Sequence, residues 1–264
     1  MINGIFKQPE DQPPLCAPPS WMPTKLGDVT LVLIETMFHD LAWEAVRESA
    51  KRVAFHDIVI CSDKSPPFDI NAKVIHIEHQ PGIENFGRAT WHGPWIEHVQ
   101  TSHMLLSHWD SWVIDPGMWS DDFLQYDFIG APWWYEINNV GCGAFTLRSM
   151  KMVRFLNDHR DVYPHKMPDD VVLCQHYRAR LEAEGFRWAP DDVAMRFAFE
   201  CSRPHGGPSR HFGFHEVRNF PLVMQRDALI ERVRMLLRHD QYLRDRGKLW
   251  QLWEAAPWLE RLCA

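Results

Sequence analysis

The chain has no Cys-x-x-Cys pair. Its six cysteines, Cys16, Cys61, Cys142, Cys174, Cys201 and Cys263, are scattered, which removes a zinc knuckle and a thioredoxin-like motif and leaves mostly reduced, buried thiols. Its fifteen histidines form no His-Glu-x-x-His or His-x-His cluster, so the usual zinc-hydrolase patterns are missing too. It has no apolar run long enough to span a bilayer. Positive charge is in deficit, with 28 lysines and arginines against 35 acidic residues and a formal net charge of −7. That balance gives no electrostatic reason to expect nucleic acid as a main partner. The start, Met1 to Pro9 followed by Glu10 and Asp11, lacks the basic flank and apolar stretch of a secretory signal. These absences predict a cytoplasmic protein with no transmembrane segment, or one lying peripherally at the inner face of the membrane.

What is present is an ordinary globular mixture, 45% hydrophobic and 24% charged over 264 residues, enough for one core with an appended piece. Residues 1–27 carry Pro9, Pro13, Pro14, Pro18, Pro19 and Pro23, a density that forbids regular structure and predicts an extended arm. Residues 28–223 are expected to form the main domain and 224–264 a helical extension. The thirteen tryptophans are the compositional anomaly. Aromatic faces suit sugar rings, but filling the core accounts for most of them.

The run Val29 to Ile34 is β-branched and apolar, as in a strand buried on both faces, and His39 to Ala54 reads as a helix with Leu41, Ala45 and Val46 on one side. Strands at Asp57 to Cys61 and Lys73 to Ile77 then complete a βαβ pattern and its neighbour. A further strand is expected from His103 to Trp109, running on through Asp110 to Ile114, and another from Ala144 to Arg148. Pro168-Asp169-Asp170 opens a helix reaching about Glu184, with Gly185 as its stop. Two helices, about 226–246 and 248–262, close the chain. The fold class expected is α/β with a mostly parallel central sheet.

Several sets of residues carry chemistry. In extended backbone His108 and Asp110 would point to one face, so an imidazole and a carboxylate could converge on a cation. The plainer alternative is two solvated polar residues at a strand end. Gly141-Cys142-Gly143-Ala144 would let backbone amides approach a sugar or phosphate, or would merely turn the chain. Asp169 and Asp170, in the first turn of a helix, suit a general base or a simple cap. His215 lies in the apolar, glycine-hinged segment Phe212-Gly213-Phe214-His215, read as a turn. Glu35-Thr36 and Ser62-Asp63 follow the first two strands, where open α/β sheets bind ligands.

The order of these elements resembles the glycosyltransferase-A fold. More closely, Gln125 to Trp133 and Val140 to Ser149 look like a bacterial family of glycosyltransferase-like domains catalogued as of unknown function, a resemblance covering roughly Val29 to Val223. It implies a metal-dependent transferase of the hexosyltransferase kind. His108-Trp109-Asp110 stands where the Asp-x-Asp motif would lie, with His108 replacing the first carboxylate, and His215 resembles the late histidine that completes the metal shell. An imidazole among the ligands favours Mn²⁺ over Mg²⁺. Asp169 and Asp170 match the acidic pair that supplies the base in inverting members, with Asp170 preferred. The nucleotide sugar, linked to UDP or GDP, would be held by Glu35, Thr36, Ser62, Asp63, Trp109, Asp110, Ser111 and the Gly141–Ala144 loop. Trp133 or Trp134 would stack on a sugar, with Trp91 and Trp95 as further candidates.

Two rival functions stand beside this one: an inactive sugar-nucleotide or glycan-binding module, kept open by the His108 departure, and a metal-dependent hydrolase. The acceptor, a glycan, a lipid-linked molecule or another hydroxyl, is not written in the sequence, which also leaves room for a homo-oligomer. Apolar residues at helical spacing from Leu249 to Leu262 fit packing on the body or on a partner helix, the first being favoured.

Overall fold

A computed structural model describes residues 24–80, 87–133, 138–160, 168–200, 210–239 and 247–259. Trp134 and most of the proline-rich arm lie outside the described residues. β1 spans Thr24–Ile34, and its last six residues are all buried. It runs between β2 (Val53–Ser62) and β4 (His103–Ser107), parallel to both, so both of its edges are paired. Its period-two alternation divides the core: Leu31 and Leu33 join one apolar cluster, Val32 and Ile34 another. Helix α1, His39–Arg52, buries Leu41, Ala42, Trp43, Ala45, Val46 and Ser49. Lys51 and Arg52 sit at its last turn, where cations are favoured. β2 follows at Val53 without a connecting loop, four residues before the expected start.

β3 (Lys73–His76) extends this half outward, and the chain then crosses to β4 on the other side of β1. β6 (Phe128–Ile129) and β7 (Phe145–Ser149) complete a six-stranded sheet of order β3-β2-β1-β4-β7-β6, in which β7 alone runs opposite to the other strands. The fold is therefore α/β, with a central, mostly parallel sheet flanked by helices. The switch between outgoing and returning connections falls between β1 and β4, so their carboxyl ends bound a crevice. Because β7 runs backwards, with Phe145 opposite Ser107, the loop entering β7 reaches that same rim.

The expected long strand through His108 breaks. His108, Trp109 and Asp110 form a turn, closed by Ser111 N–H donating to the His108 carbonyl at 3.3 Å. The chain leaves the first sheet there and enters a second at β5, Ser111–Val113. Serine hydroxyls satisfy the backbone groups released by the break. Ser107 donates to the Ser111 carbonyl at 2.8 Å, and Ser111 Oγ accepts from His108 N–H and donates to the Ala144 carbonyl, each at 2.8 Å. The second sheet has the order β5-β9-β8, where β8 is Ala198–Phe199 and β9 is Gly213–His215. Phe212 to His215 is thus not a hinged turn. Gly213 is required by packing, since a Cβ there would lie 2.1 Å from the Phe145 ring.

Helix α2 (Met150–Asp158) follows β7. The helix expected at Pro168 forms as α3 (Asp169–Val171), a wider π turn at Val172–His176, and α4 (Arg178–Ala183), and Gly185 with φ +89° ends it. After α5 (Asp191–Phe197) and α6 (Phe220–Val223), α7 (Arg226–Leu237) and α8 (Lys248–Ala255) return to the body. Leu229, Val233, Leu236, Leu249 and Leu252 enter the same cluster as α1. Trp91 and Trp95, each 1% exposed, are core side chains. Among the described residues no helix is long and apolar enough to cross a membrane.

Candidate functional site

Strand register explains why residues far apart in sequence meet. Pairing of β5 with β9 sets Ser111 opposite His215, beside the Asp110 turn. Pairing of β8 with β9 sets Phe199 opposite Phe214, so Glu200, the next residue, also reaches His215. His215 Nε2 lies 3.3 Å from Asp110 Oδ1, and its Nδ1 lies 2.6 Å from Glu200 Oε1 and 3.6 Å from Cys142 Sγ. From the extension, Lys248 Nζ comes to 3.6 Å from Asp110 Oδ2 and 3.8 Å from Glu216 Oε1.

The electrostatics follow from this crowding. Burial alone would raise the Asp110 carboxyl, but His215 and Lys248 beside it hold it well below the usual range. Burial works against charge on His215, yet Asp110 and Glu200 raise it well above an ordinary histidine. His108, whose ring lies edge-on to His215 at 6.4 Å between centroids, is pushed down by burial to about 4 and is neutral at neutral pH. Cys142, Glu200 and His215 are a group of potential metal donors whose ligand atoms lie within 4.8 Å of one another. Burial pushes the Cys142 thiol up to about 12, which keeps it protonated until a metal or base takes the proton.

The two aspartates at the start of α3 differ. Asp169 is 4% exposed, and its Oδ2 pairs with Arg148 Nη2 at 2.5 Å and accepts from Thr90 Oγ1 at 2.9 Å. Arg148 is wholly buried and also donates to Thr90 at 3.1 Å and Thr146 at 3.0 Å. Among the described residues no cation is paired with Asp170 in this way. It accepts from the Gly143 N–H at 2.9 Å and from the Val171 N–H at 2.8 Å. Burial, then the neighbouring Asp169 and Glu200 carboxylates, raise it to about 7. One carboxylate is fixed in its charged form and the other is poised to take or give a proton near neutrality.

The Gly141–Ala144 loop joins the two clusters. A Cβ at Gly141 would lie 2.3 Å from the Trp133 ring, and one at Gly143 would lie 2.5 Å from Asp169 Oδ1. Between them Cys142 holds φ +64°, a left-handed conformation that costs a non-glycine residue about 1 kcal/mol or more. Trp133 donates its Nε1–H to Glu200 Oε2 at 3.1 Å, so its ring is anchored on the rim by the residue that contacts His215.

The ends of β1 and β2 lie at the same edge. Glu35 is buried, and Oε1 accepts from Met37 N–H at 2.6 Å and Phe38 N–H at 3.0 Å. Burial raises it to about 7, with Asp110 adding to the shift. Thr36 Oγ1 accepts from Gln80 N–H at 2.9 Å, and Ser62 Oγ accepts from Lys64 N–H at 3.3 Å. Asp63 is taken up by His39, at 2.5 Å. Trp109 packs on Phe38, with centroids 5.0 Å apart.

Glu200 and Lys248 were not singled out from sequence. An acidic residue ending the apolar pair Ala198-Phe199 is a weak strand-end signal for the first, and nothing local marks the second.

Residues 77–215, just over half of the chain, match the family model described as "Protein of unknown function (DUF5672)". The chain belongs to this family. The matched segment runs from just beyond β3 to His215, so within this DUF5672 chain Asp110, Cys142, Asp170, Glu200 and His215 fall inside it, whereas Glu35 and Lys248 fall outside. No curated protein matches the chain. Two glycosyltransferases are among the solved structures similar to it. One is the mannosyltransferase PcManGT from Pyrobaculum calidifontis in complex with GDP-Man and Mn²⁺, 12% identical with a TM-score of 0.42, covering 69% of this chain and 59% of that one. The other is the apo-form glycosyltransferase GlyE of Streptococcus pneumoniae, 12% identical with a TM-score of 0.36, covering 62% of this chain and 45% of that one. The chain therefore spans less than two thirds of the length of either.

Proposed function

We propose that this DUF5672 protein is a metal-dependent glycosyltransferase that moves a sugar from a nucleoside-diphosphate sugar to an acceptor hydroxyl with inversion. The observation that carries it is the meeting, at the switch point of an open α/β sheet, of an acidic and imidazole cluster at Asp110 and His215 with Asp170, a carboxyl raised to about 7.

The donor set fits a divalent cation of the manganese kind. Asp110 and His215 would hold it through a carboxylate and an imidazole, with neutral His108 alongside, and that mixture suits Mn²⁺ better than Mg²⁺. Nδ1 of His215 faces Glu200, the carboxylate partner that commonly fixes the tautomer of a ligating histidine. Once bound, the cation would neutralise charge developing on the departing nucleoside diphosphate.

The remaining work falls to the chain's own groups. Asp170 takes the proton from the acceptor hydroxyl as that oxygen attacks the anomeric carbon from the face opposite the leaving group. The Gly143 N–H, donating at 2.9 Å, orients the carboxylate. Asp169, held by Arg148, keeps a fixed negative charge beside it. Trp133 offers a ring face to a sugar at the rim. Glu35 and Thr36, with Ser62 and Asp63, line the strand ends where the nucleoside would lie.

Calorimetric titration with UDP and with GDP, each with and without Mn²⁺, tests this. Binding of at least one nucleotide is expected to require Mn²⁺ and to be lost in Asp110→Ala, which removes a buried charged ligand; no nucleotide binding under any metal sinks the assignment.

A further inference from the structure

The carboxylate assigned to the cation is also held by a lysine from outside the matched family segment. Lys248 opens α8 in the C-terminal extension, and its ammonium lies 3.6 Å from Asp110 Oδ2 and 3.8 Å from Glu216 Oε1. The other nearby cations are spent differently. Arg148 is wholly buried on Asp169, and Arg218 Nε lies 3.1 Å from Glu216 Oε2. His215 sits on the opposite oxygen of Asp110. Among the described residues, Lys248 is the lysine or arginine that reaches Asp110.

This contact is built rather than incidental. Leu249 and Leu252 anchor α8 in the main core, which fixes where the lysine emerges. Glu216 directly follows His215, and its backbone is held at φ +81°, a conformation costly for a side-chain-bearing residue. That strained turn keeps the Glu216 carboxylate, 7% exposed, against Lys248. The lysine side chain itself retains 24% exposure, so it is not sealed in.

A diphosphate entering beside Asp110, Glu200 and Glu216 meets an acidic rim and needs positive charge beyond a single divalent cation. We propose that Lys248 is the diphosphate-binding cation of this site, resting on Asp110 and Glu216 in the ligand-free chain and passing to a phosphate oxygen when the donor binds. The inference rests on the donor-site assignment made above, and it makes the extension part of the binding site. In the resting state the ammonium competes with a divalent cation for Asp110. Removing it therefore affects metal and phosphate binding in opposite directions, a signature that simple loss of packing would not give.

The test is calorimetry on the whole chain and on its Lys248→Met and Lys248→Arg variants, titrating Mn²⁺ alone, then UMP, UDP, GMP, GDP and inorganic pyrophosphate with Mn²⁺. In Lys248→Met, nucleoside diphosphate binding is expected to weaken about ten- to a hundred-fold, the range of a lost charge-assisted hydrogen bond. Monophosphates should lose less, Lys248→Arg should recover most of the affinity, and Mn²⁺ alone should bind at least as tightly as to the unaltered chain. Unchanged diphosphate affinity overturns the role of Lys248, as does a parallel loss of Mn²⁺ and nucleotide binding. If the unaltered chain binds pyrophosphate but no nucleoside diphosphate, the donor assignment falls and Lys248 is decided on pyrophosphate by the same comparison. If it binds neither, both fall.

Discussion

Replacing Asp170 with asparagine is expected to slow sugar transfer about a hundred- to ten-thousand-fold, the usual contribution of a positioned general base, while Mn²⁺-dependent nucleotide binding stays close to normal. The change is nearly isosteric, and the amide oxygen can still accept from the Gly143 N–H, so the loop keeps its partner while the local bond from the Val171 N–H is lost. In the unaltered protein kcat/KM for the proposed transfer should rise with pH through about 7, where Asp170 loses its proton, and that limb should vanish in the variant. Stability moves the other way. The Asp170 carboxyl is raised on folding, from 3.8 to about 7, so in the interval between those values the folded chain holds a proton that the unfolded chain has released. Native stability therefore falls as pH rises across that interval and stays lower above it, and Asp170→Asn, which cannot ionise, should escape this loss. Chemical denaturation at pH 5 and pH 8 checks the sign: the variant should gain on the unaltered protein at pH 8 and less at pH 5. Full-rate transfer by Asp170→Asn would move the base elsewhere.

The half of the fold built from long elements was legible. β1, α1, β2 and β3 announce themselves because a doubly covered strand needs an unbroken apolar run and a one-sided helix needs its stripe. The second sheet did not, because its strands are two or three residues long and no periodicity can be read over such lengths. Missing that sheet also hid how the candidate site closes. Asp110 and His215 could be named singly, but the register that sets Ser111 opposite His215, and the strand end that brings in Glu200, are long-range facts. The turn at His108 had a local cue in the serines flanking it, whose hydroxyls can replace a ladder's hydrogen bonds. In the sequence Arg148 is one more residue of a strand. Nothing near it signals that its guanidinium is buried, since its partner Asp169 follows only after α2 and the segment leading to α3.

That pair carries the largest expected effect on stability. Asp169→Ala would leave the Arg148 guanidinium buried against Thr90 and Thr146 with no anion, and Arg148→Met would strand the Asp169 carboxylate. Each should cost about 3–5 kcal/mol in denaturant unfolding, the usual penalty for breaking a buried ion pair from one side. The double variant Arg148→Met with Asp169→Leu removes both charges together and should recover most of that loss. The pair also acts on its neighbour. Asp169 is one of the two carboxylates that hold Asp170 near 7, so the double variant, although folded, should release the Asp170 proton at lower pH. The rising limb of its kcat/KM profile should shift to the acid side of the unaltered protein's. A restored fold with an unshifted profile would make the Arg148–Asp169 pair a support for the α3 start alone. A restored fold with the limb displaced would show that the buried ion pair sets the working pH of the carboxyl beside it.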